Sequence, residues 1–309
     1  MLFCKKLFNR CLSIFDRQWD YVYLKKTLKD YKNNSVENIY AGSSYVIFGI
    51  NNFKNQINIA LPSQDIFYSL KIIKSLTASC KIPKRVILGV GYYSLFYDLS
   101  KTRNSNEVNR IFDVYYPLLL DSHNKDELSL KILYYSYGRI NCLLRFICNI
   151  FISIFLKRNY FSNFLHSRQR RAIRGWNNKR LNWNEISEKE RINCSIKRYE
   201  CHFKQFKYKD TFRENIDLLR EFYLYCKQQG IYFGIYISPM SKQYFQALSK
   251  RDKTCIVQSI KIFKEFCDKF VDYNIKLKLL DIDFVDPDHL SNSGAKKVTD
   301  CVVSDFVTN

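Results

Sequence analysis

Two kinds of segment alternate along this chain: short continuous apolar runs, and longer stretches whose apolar residues follow helical spacing. Residues 1–35 mix aromatic side chains with Lys and Arg and predict one or two short amphipathic helices ahead of the main fold. The pattern then changes. Asn38-Ile39-Tyr40-Ala41 leads into Gly42-Ser43-Ser44 and on to Tyr45-Val46-Ile47-Phe48-Gly49. A short apolar strand running through a Gly/Ser turn into a helix is the opening of an α/β unit.

Residues 56–61 read as a second strand. Ser63-Gln64-Asp65 then caps a helix reaching about residue 76, with Ile66, Leu70, Ile73 and Leu76 at helical spacing. Residues 86–90, Val-Ile-Leu-Gly-Val, form the kind of run seen in strands buried on both faces. The alternation stops there and resumes near residue 211. A helix over 211–229 is ended by Gly230, a strand over 231–237 is closed by Ser238-Pro239, and a helix is expected over 254–271. A last strand is expected over 277–282 and a last helix over 293–307. Five strands alternating with helices predict a parallel, doubly wound α/β sheet with a large, mainly helical insertion after strand three. The expected organisation is a helical segment over 1–35, an α/β core over 36–100 and 211–309, and a basic insertion over 101–210.

The insertion has an unusual composition. No acidic residue occurs between Glu127 and Glu185. Residues 140–156 are apolar apart from Asn141, Arg145, Asn149 and Ser153, whose spacing by four makes one polar stripe on a helix. Lys157, Arg158, Arg168, Arg170, Arg171, Arg174, Lys179 and Arg180 follow. Two readings fit: a buried helix followed by a solvated basic loop, or a helix lying in a membrane interface with the basic run on anionic headgroups. A full span is disfavoured, because Arg145 would sit at mid-bilayer.

Composition extends this picture. The chain has 309 residues, with 50 Lys and Arg against 29 Asp and Glu, for a net charge of +21. That balance suits an anionic partner, although abundant Lys, Asn, Ile, Tyr and Phe are also what an A/T-rich genome encodes. A nucleic-acid role is not expected, since no zinc-finger spacing, RNP-like block or helix-turn-helix is present. Nine Gly and five Pro exclude collagen-like and linker-rich architectures. Eleven scattered Cys without a C-x-x-C pair read as reduced, mostly buried thiols. Lys5, Lys6 and Arg10 interrupt any signal-like apolar run, so a cytoplasmic location is expected, with a peripheral position on the inner face of the plasma membrane if the insertion binds lipid.

The chain has four His. His123, His166 and His202 lack partners at useful spacing and read as surface or packing residues. His289 lies in Asp286-Pro287-Asp288-His289-Leu290, between the last strand and the last helix, where parallel α/β sheets place ligands. Asp286 precedes it by three residues, a spacing that lets a carboxylate reach Nδ1 and leaves Nε2 as a base. Ser44 follows strand one and so reaches the same sheet edge. There it can serve as a nucleophile whose own N–H faces an oxyanion. The alternative is that Ser43 or Ser44 is only a helix N-cap.

Gly42-Ser43-Ser44 with Gly49, together with Asp286-x-x-His289, resembles the SGNH (GDSL-type) hydrolase and acyltransferase superfamily over roughly 38–100 and 230–307. The resemblance implies a flavodoxin-like three-layer fold, Ser44 as nucleophile, His289 as base and Asp286 as its partner. The family's Gly-Asp-Ser is Gly-Ser-Ser here. Its second-block Gly corresponds most nearly to Ser63, and Gly91-Tyr92-Tyr93-Ser94 lacks the third-block Asn. The oxyanion donors implied are therefore the N–H groups of Ser44 and Ser63, with Tyr93 or Ser94 as further candidates. Asn58-x-Ala60-x-x-Ser63-Gln64 and Asp286-x-x-His289-Leu290 are similar to a divergent branch that includes D-alanyl transfer proteins and proteins of capsule and O-antigen assembly. The expected activity is acyl transfer to a cell-surface glycan or its lipid-linked precursor, with an acyl donor and a glycan acceptor as partners. Membrane contact would run through 140–180, and no cofactor or metal is expected. An esterase or deacetylase, or a non-catalytic protein on the same fold, are the alternatives.

Overall fold

The computed structural model describes residues 2–33, 35–51, 55–79, 81–132, 143, 183–204 and 208–308. These fall into two compact units, one made of Met1–Asn33 with Asp98–Asn163 and the other of Asn34–Tyr97 with Phe164–Asn309. The helices among the described residues include α1 (Leu2–Asn33), α2 (Ser44–Ile47), α3 (Ile66–Ser79), α4 (Ser105–Arg110), α5 (Tyr116–Leu119), α6 (Glu188–Phe203), α7 (Lys209–Gln229), α8 (Lys242–Arg251), α9 (Lys253–Glu265), α10 (Tyr273–Lys276) and α11 (Asn292–Phe306).

The larger unit is α/β and holds a five-stranded, all-parallel sheet: β1 (Asn38–Gly42), β2 (Gln56–Asn58), β3 (Arg85–Val90), β4 (Tyr232–Ile237) and β5 (Lys269–Asp272), in the order β2-β1-β3-β4-β5. β1, β3 and β4 read as apolar runs because both faces are covered. All five residues of β1 are buried, as are the last five of β3 and of β4. The chain order reverses between β1 and β3, and the carboxyl edge of such a switch point is where α/β sheets place ligands.

Local chemistry sets the boundaries. The carboxylate of Asp65 accepts the Tyr68 amide at 2.9 Å and starts α3. Gly230, with φ at 68°, ends α7 in the left-handed cap conformation. Ser291 accepts from the Gly294 amide and starts α11.

The fifth strand corrects the sequence expectation. It is Lys269–Asp272, and α9 ends at Glu265 instead of running to 271. Its four residues carry only two apolar side chains at an edge of the sheet, so they read as the tail of the preceding helix. Residues 277–282 look more strand-like, yet Leu280 and Ile282 stand 65% and 56% exposed, and the segment ends in a 3₁₀ turn at Asp281–Asp283.

The organisation also departs from the expected one. The N-terminal segment is one 32-residue helix and shares a unit with Asp98–Asn163. Residues 183–204, expected in the insertion, belong to the unit of the sheet. In the smaller unit, α1 is joined to the end of α4 and to the segment after it by ion pairs. Arg17 Nε meets Asp113 at 2.6 Å, and Asp20 pairs with Arg110. That segment, Ile111–Tyr115, is a π-helical turn whose Ile111, Val114 and Tyr115 are fully buried. The apolar stretch 140–156, except residue 143, and the basic run 157–180 lie outside the described residues. No described helix is long and apolar enough to cross a membrane.

Candidate active site

The turn after β1 positions Ser44. Gly42 has φ at 141°, and a Cβ there would sit 2.3 Å from the Gly89 carbonyl oxygen. Only glycine allows β1 to pass so close to β3 and turn at once into α2. Ser43 takes the N-cap position but makes no capping bond with its hydroxyl. Ser44, the first residue of α2, is half-buried, while Tyr45, Val46 and Ile47 anchor the helix in the core. Asn58, buried at the end of β2, holds α2 from below: its Nδ2 donates to the Val46 carbonyl at 3.1 Å and its Oδ1 accepts the Ala60 amide at 3.0 Å.

At the far end of the chain, Asp286–His289 forms a tight turn. Asp286 Oδ1 accepts the amides of Asp288 at 3.0 Å and His289 at 2.8 Å, so the carboxylate that shapes the loop also orients the imidazole. The loop is closed by a bridge between Phe284 and Leu290 and tied to the segment after β4 by the Ser241 amide on the Pro287 carbonyl, at 2.8 Å. His289 Nδ1 lies 2.8 Å from Asp286 Oδ2, and Nε2 lies 2.8 Å from Ser44 Oγ. With Nδ1–H donated to the carboxylate, Nε2 is the acceptor of the Ser44 hydroxyl proton. Tyr45 and Phe48 pack their rings 5.7 and 6.2 Å from the imidazole and hold it in place.

Burial pulls the His289 pKa down, but the charges of Asp286 and Asp288 and the hydrogen bond His289 donates to Asp286 outweigh it. With Arg198 opposing, the imidazole titrates above its ordinary value of 6.5. Burial would raise Asp286. The imidazolium of His289, its hydrogen bond, Arg198 and the loop amides overcome that and hold the carboxyl at about 2.

A second layer lies directly behind. Asp288 is 1% exposed, and both its oxygens lie 2.9 Å from Arg198 Nε. Tyr45 donates its hydroxyl to Asp288 Oδ2 at 2.8 Å. His202 Nε2 stands 3.8 Å from the same oxygen, its Nδ1 is hydrogen-bonded to the Tyr244 hydroxyl, and its ring stacks on Tyr93 at 3.8 Å. Burial first, then Arg198, hold the His202 pKa well below 6.5. Asp286, Asp288 and His289 bring three ligand-type atoms within 4.8 Å of one another. Arg198, Tyr45, His289 and the loop amides already use those carboxylates.

The structure thus brings Ser44, Asp286 and His289 together. The other candidates are less direct. Ser94 donates its amide to the Gly91 carbonyl at 3.0 Å and accepts the Gly91 amide on its hydroxyl at 2.9 Å, so it closes a turn. Tyr93 sits in the second layer, its hydroxyl 3.3 Å from that of Tyr45. Ser63 adopts left-handed backbone, with φ at 58°, and its carbonyl accepts from Tyr97 at 3.3 Å. His123 is buried in the smaller unit, and His166 lies outside the described residues.

Sequence reasoning missed Asp288 and Arg198, and left His202 open between a surface and a packing residue, of which the structure shows the packing one. The available signal was spacing. Ser195, Arg198, Tyr199 and His202 fall on one face of α6, and three of the four are buried outright.

Comparison with family models, with curated proteins and with solved structures finds no match to this chain.

Proposed function

We propose that this protein is a serine-dependent acyltransferase of SGNH type, acting on a cell-surface glycan or its lipid-linked precursor. The observation that carries the reading is the continuous hydrogen-bond chain Ser44 Oγ–His289 Nε2 and His289 Nδ1–Asp286, with a 2.8 Å contact at each link. In the proposed reaction His289 takes the Ser44 proton as the alkoxide attacks an acyl carbonyl. Asp286 stabilises the imidazolium, and the proton passes to the leaving group as the tetrahedral intermediate collapses to a serine ester. The amides of Ser44 and Ser63 receive the oxyanion. A sugar hydroxyl, deprotonated by the same His289, then takes the acyl group and frees Ser44. The +21 charge supports an anionic acceptor or an anionic membrane surface beside it.

One observation favours a non-catalytic alternative. Ser94, at the third-block position, is occupied in closing its own turn, which leaves the oxyanion side with fewer side-chain donors. Loss of one such donor lowers a rate by about 10²–10³. Release of nitrophenol from short-chain acyl nitrophenyl esters tests the reading. Wild type turns over, Ser44→Ala does not, and added oligosaccharide increases release while becoming acylated. Equal turnover by wild type and Ser44→Ala would refute it, and hydrolysis with no acylated sugar would move the assignment to esterase.

A further inference from the structure

Resting on that reading of the site, we propose that Arg198 is a positioning residue for His289: by binding Asp288 it cancels a second negative charge facing the imidazole and leaves Asp286 as the carboxylate that orients it. His289 Nδ1 faces two carboxylates, Asp286 Oδ2 at 2.8 Å and Asp288 Oδ1 at 3.5 Å. Nδ1–H is a single donor and serves one of them well. Two unbalanced carboxylates would compete for it, tilt the ring away from Ser44 and favour the imidazolium, which cannot accept the serine proton.

The structure removes that competition. Asp288 receives Arg198 Nε on both oxygens at 2.9 Å and the Tyr45 hydroxyl at 2.8 Å. Arg198 is fixed in turn by its helix. A Ser187/Glu190 capping box starts α6, Arg191 donates to the Ile186 carbonyl at 2.7 Å, and Ser195, Tyr199 and His202 are buried on the same face.

The titratable groups around the imidazole are Asp286 and Asp288 of its own loop, Tyr45 of α2, Tyr93 after β3, Arg198 and His202 of α6 and Tyr244 of α8. Burial and then the Asp288 charge raise Tyr45 and Tyr244 well above 10, and His202 is held well below 6.5, so these three are neutral near pH 7. The charges that decide the state of His289 are then one arginine and two carboxylates.

The test is a titration of the His289 ring proton by NMR, assigned against His289→Gln in a chain with four His. Its readout does not depend on catalysis. Arg198→Gln is expected to raise the His289 pKa by roughly one unit and Asp288→Asn to lower it by a similar amount, with the double variant returning close to wild type. Fluorophosphonate labelling on the acidic limb would fall about ten-fold in Arg198→Gln and recover in the double variant. If the unpaired Asp288 prevents Arg198→Gln from folding, Asp288→Asn and the double variant decide alone. A His289 pKa unchanged in folded variants, or moved the same way by both single substitutions, overturns the inference. The predicted NMR shifts without any Ser44 labelling would uphold the charge balance and reject the acyl-transfer reading.

Discussion

Ser44 and His289 are 245 positions apart in the chain and 2.8 Å apart in space. Both were legible in the sequence, because a serine directly after the first strand and an Asp-x-x-His before the last helix reach the same sheet edge by topology alone. Asp288 was not legible: the three-residue spacing pointed to Asp286 for Nδ1, but nothing in Asp286-Pro287-Asp288 tells that the second carboxylate turns inward to Arg198. Asp286→Asn is expected to lower turnover by about 10⁴ through the wrong imidazole tautomer while leaving the fold intact, as kinetics with circular dichroism would show. The pH dependence has a defined sign. His289 titrates above 6.5, so labelling of Ser44 rises with pH through a midpoint above 6.5 and falls about ten-fold per unit below it. Stability follows a different window. Asp286, depressed to about 2, contributes above about pH 4 and loses that contribution as pH falls towards 2. His289, being raised, contributes below 6.5 and loses it as pH rises through its folded value. The difference in unfolding free energy between wild type and His289→Gln should therefore be largest from about pH 4 to 6.5.

Among the elements, the turn between β1 and α2 bears most on the site. A Cβ at Gly42 would meet the Gly89 carbonyl at 2.3 Å, and one at Gly89 would meet Val46 at 2.4 Å and Tyr236 at 2.5 Å. Either Gly→Ala change should cost about 2 kcal/mol or more by denaturant titration. Gly230→Ala, with left-handed φ but open space, should cost only about 1 kcal/mol. Asn58→Ala removes two buried hydrogen bonds under α2 and should cost about 1–3 kcal/mol while slowing Ser44 labelling. β1, β3 and β4 were readable because burial on both faces makes a strand a continuous apolar run. The fifth was not, because Lys269–Asp272 is short, at an edge, and less apolar than the exposed stretch that follows it.

At the scale of the whole molecule, sequence alone cannot tell which distant segments share a unit. Helix α1 carries Arg17, Gln18, Trp19 and Asp20 as consecutive buried residues, a run that amphipathic spacing does not produce. The pairs Arg17–Asp113 and Asp20–Arg110 explain two of the polar ones, Arg17 and Asp20. Arg110→Ala leaves Asp20 buried without this partner and should destabilise the smaller unit by about 3–5 kcal/mol, seen as early loss of amide-exchange protection in α1. The charge of +21 predicts binding to anionic vesicles that weakens as the Debye length shrinks from about 10 Å at 0.1 M salt to about 3 Å at 1 M. Binding that ignores salt would refute an electrostatic origin.

Activation of the Ser44 hydroxyl by His289 is open to a single experiment: treating the full chain with a fluorophosphonate and mapping the adduct by peptide mass spectrometry. Modification is expected at Ser44, absent in Ser44→Ala and nearly absent in His289→Ala. Undiminished labelling in both variants, or an adduct confined to another residue, would contradict it.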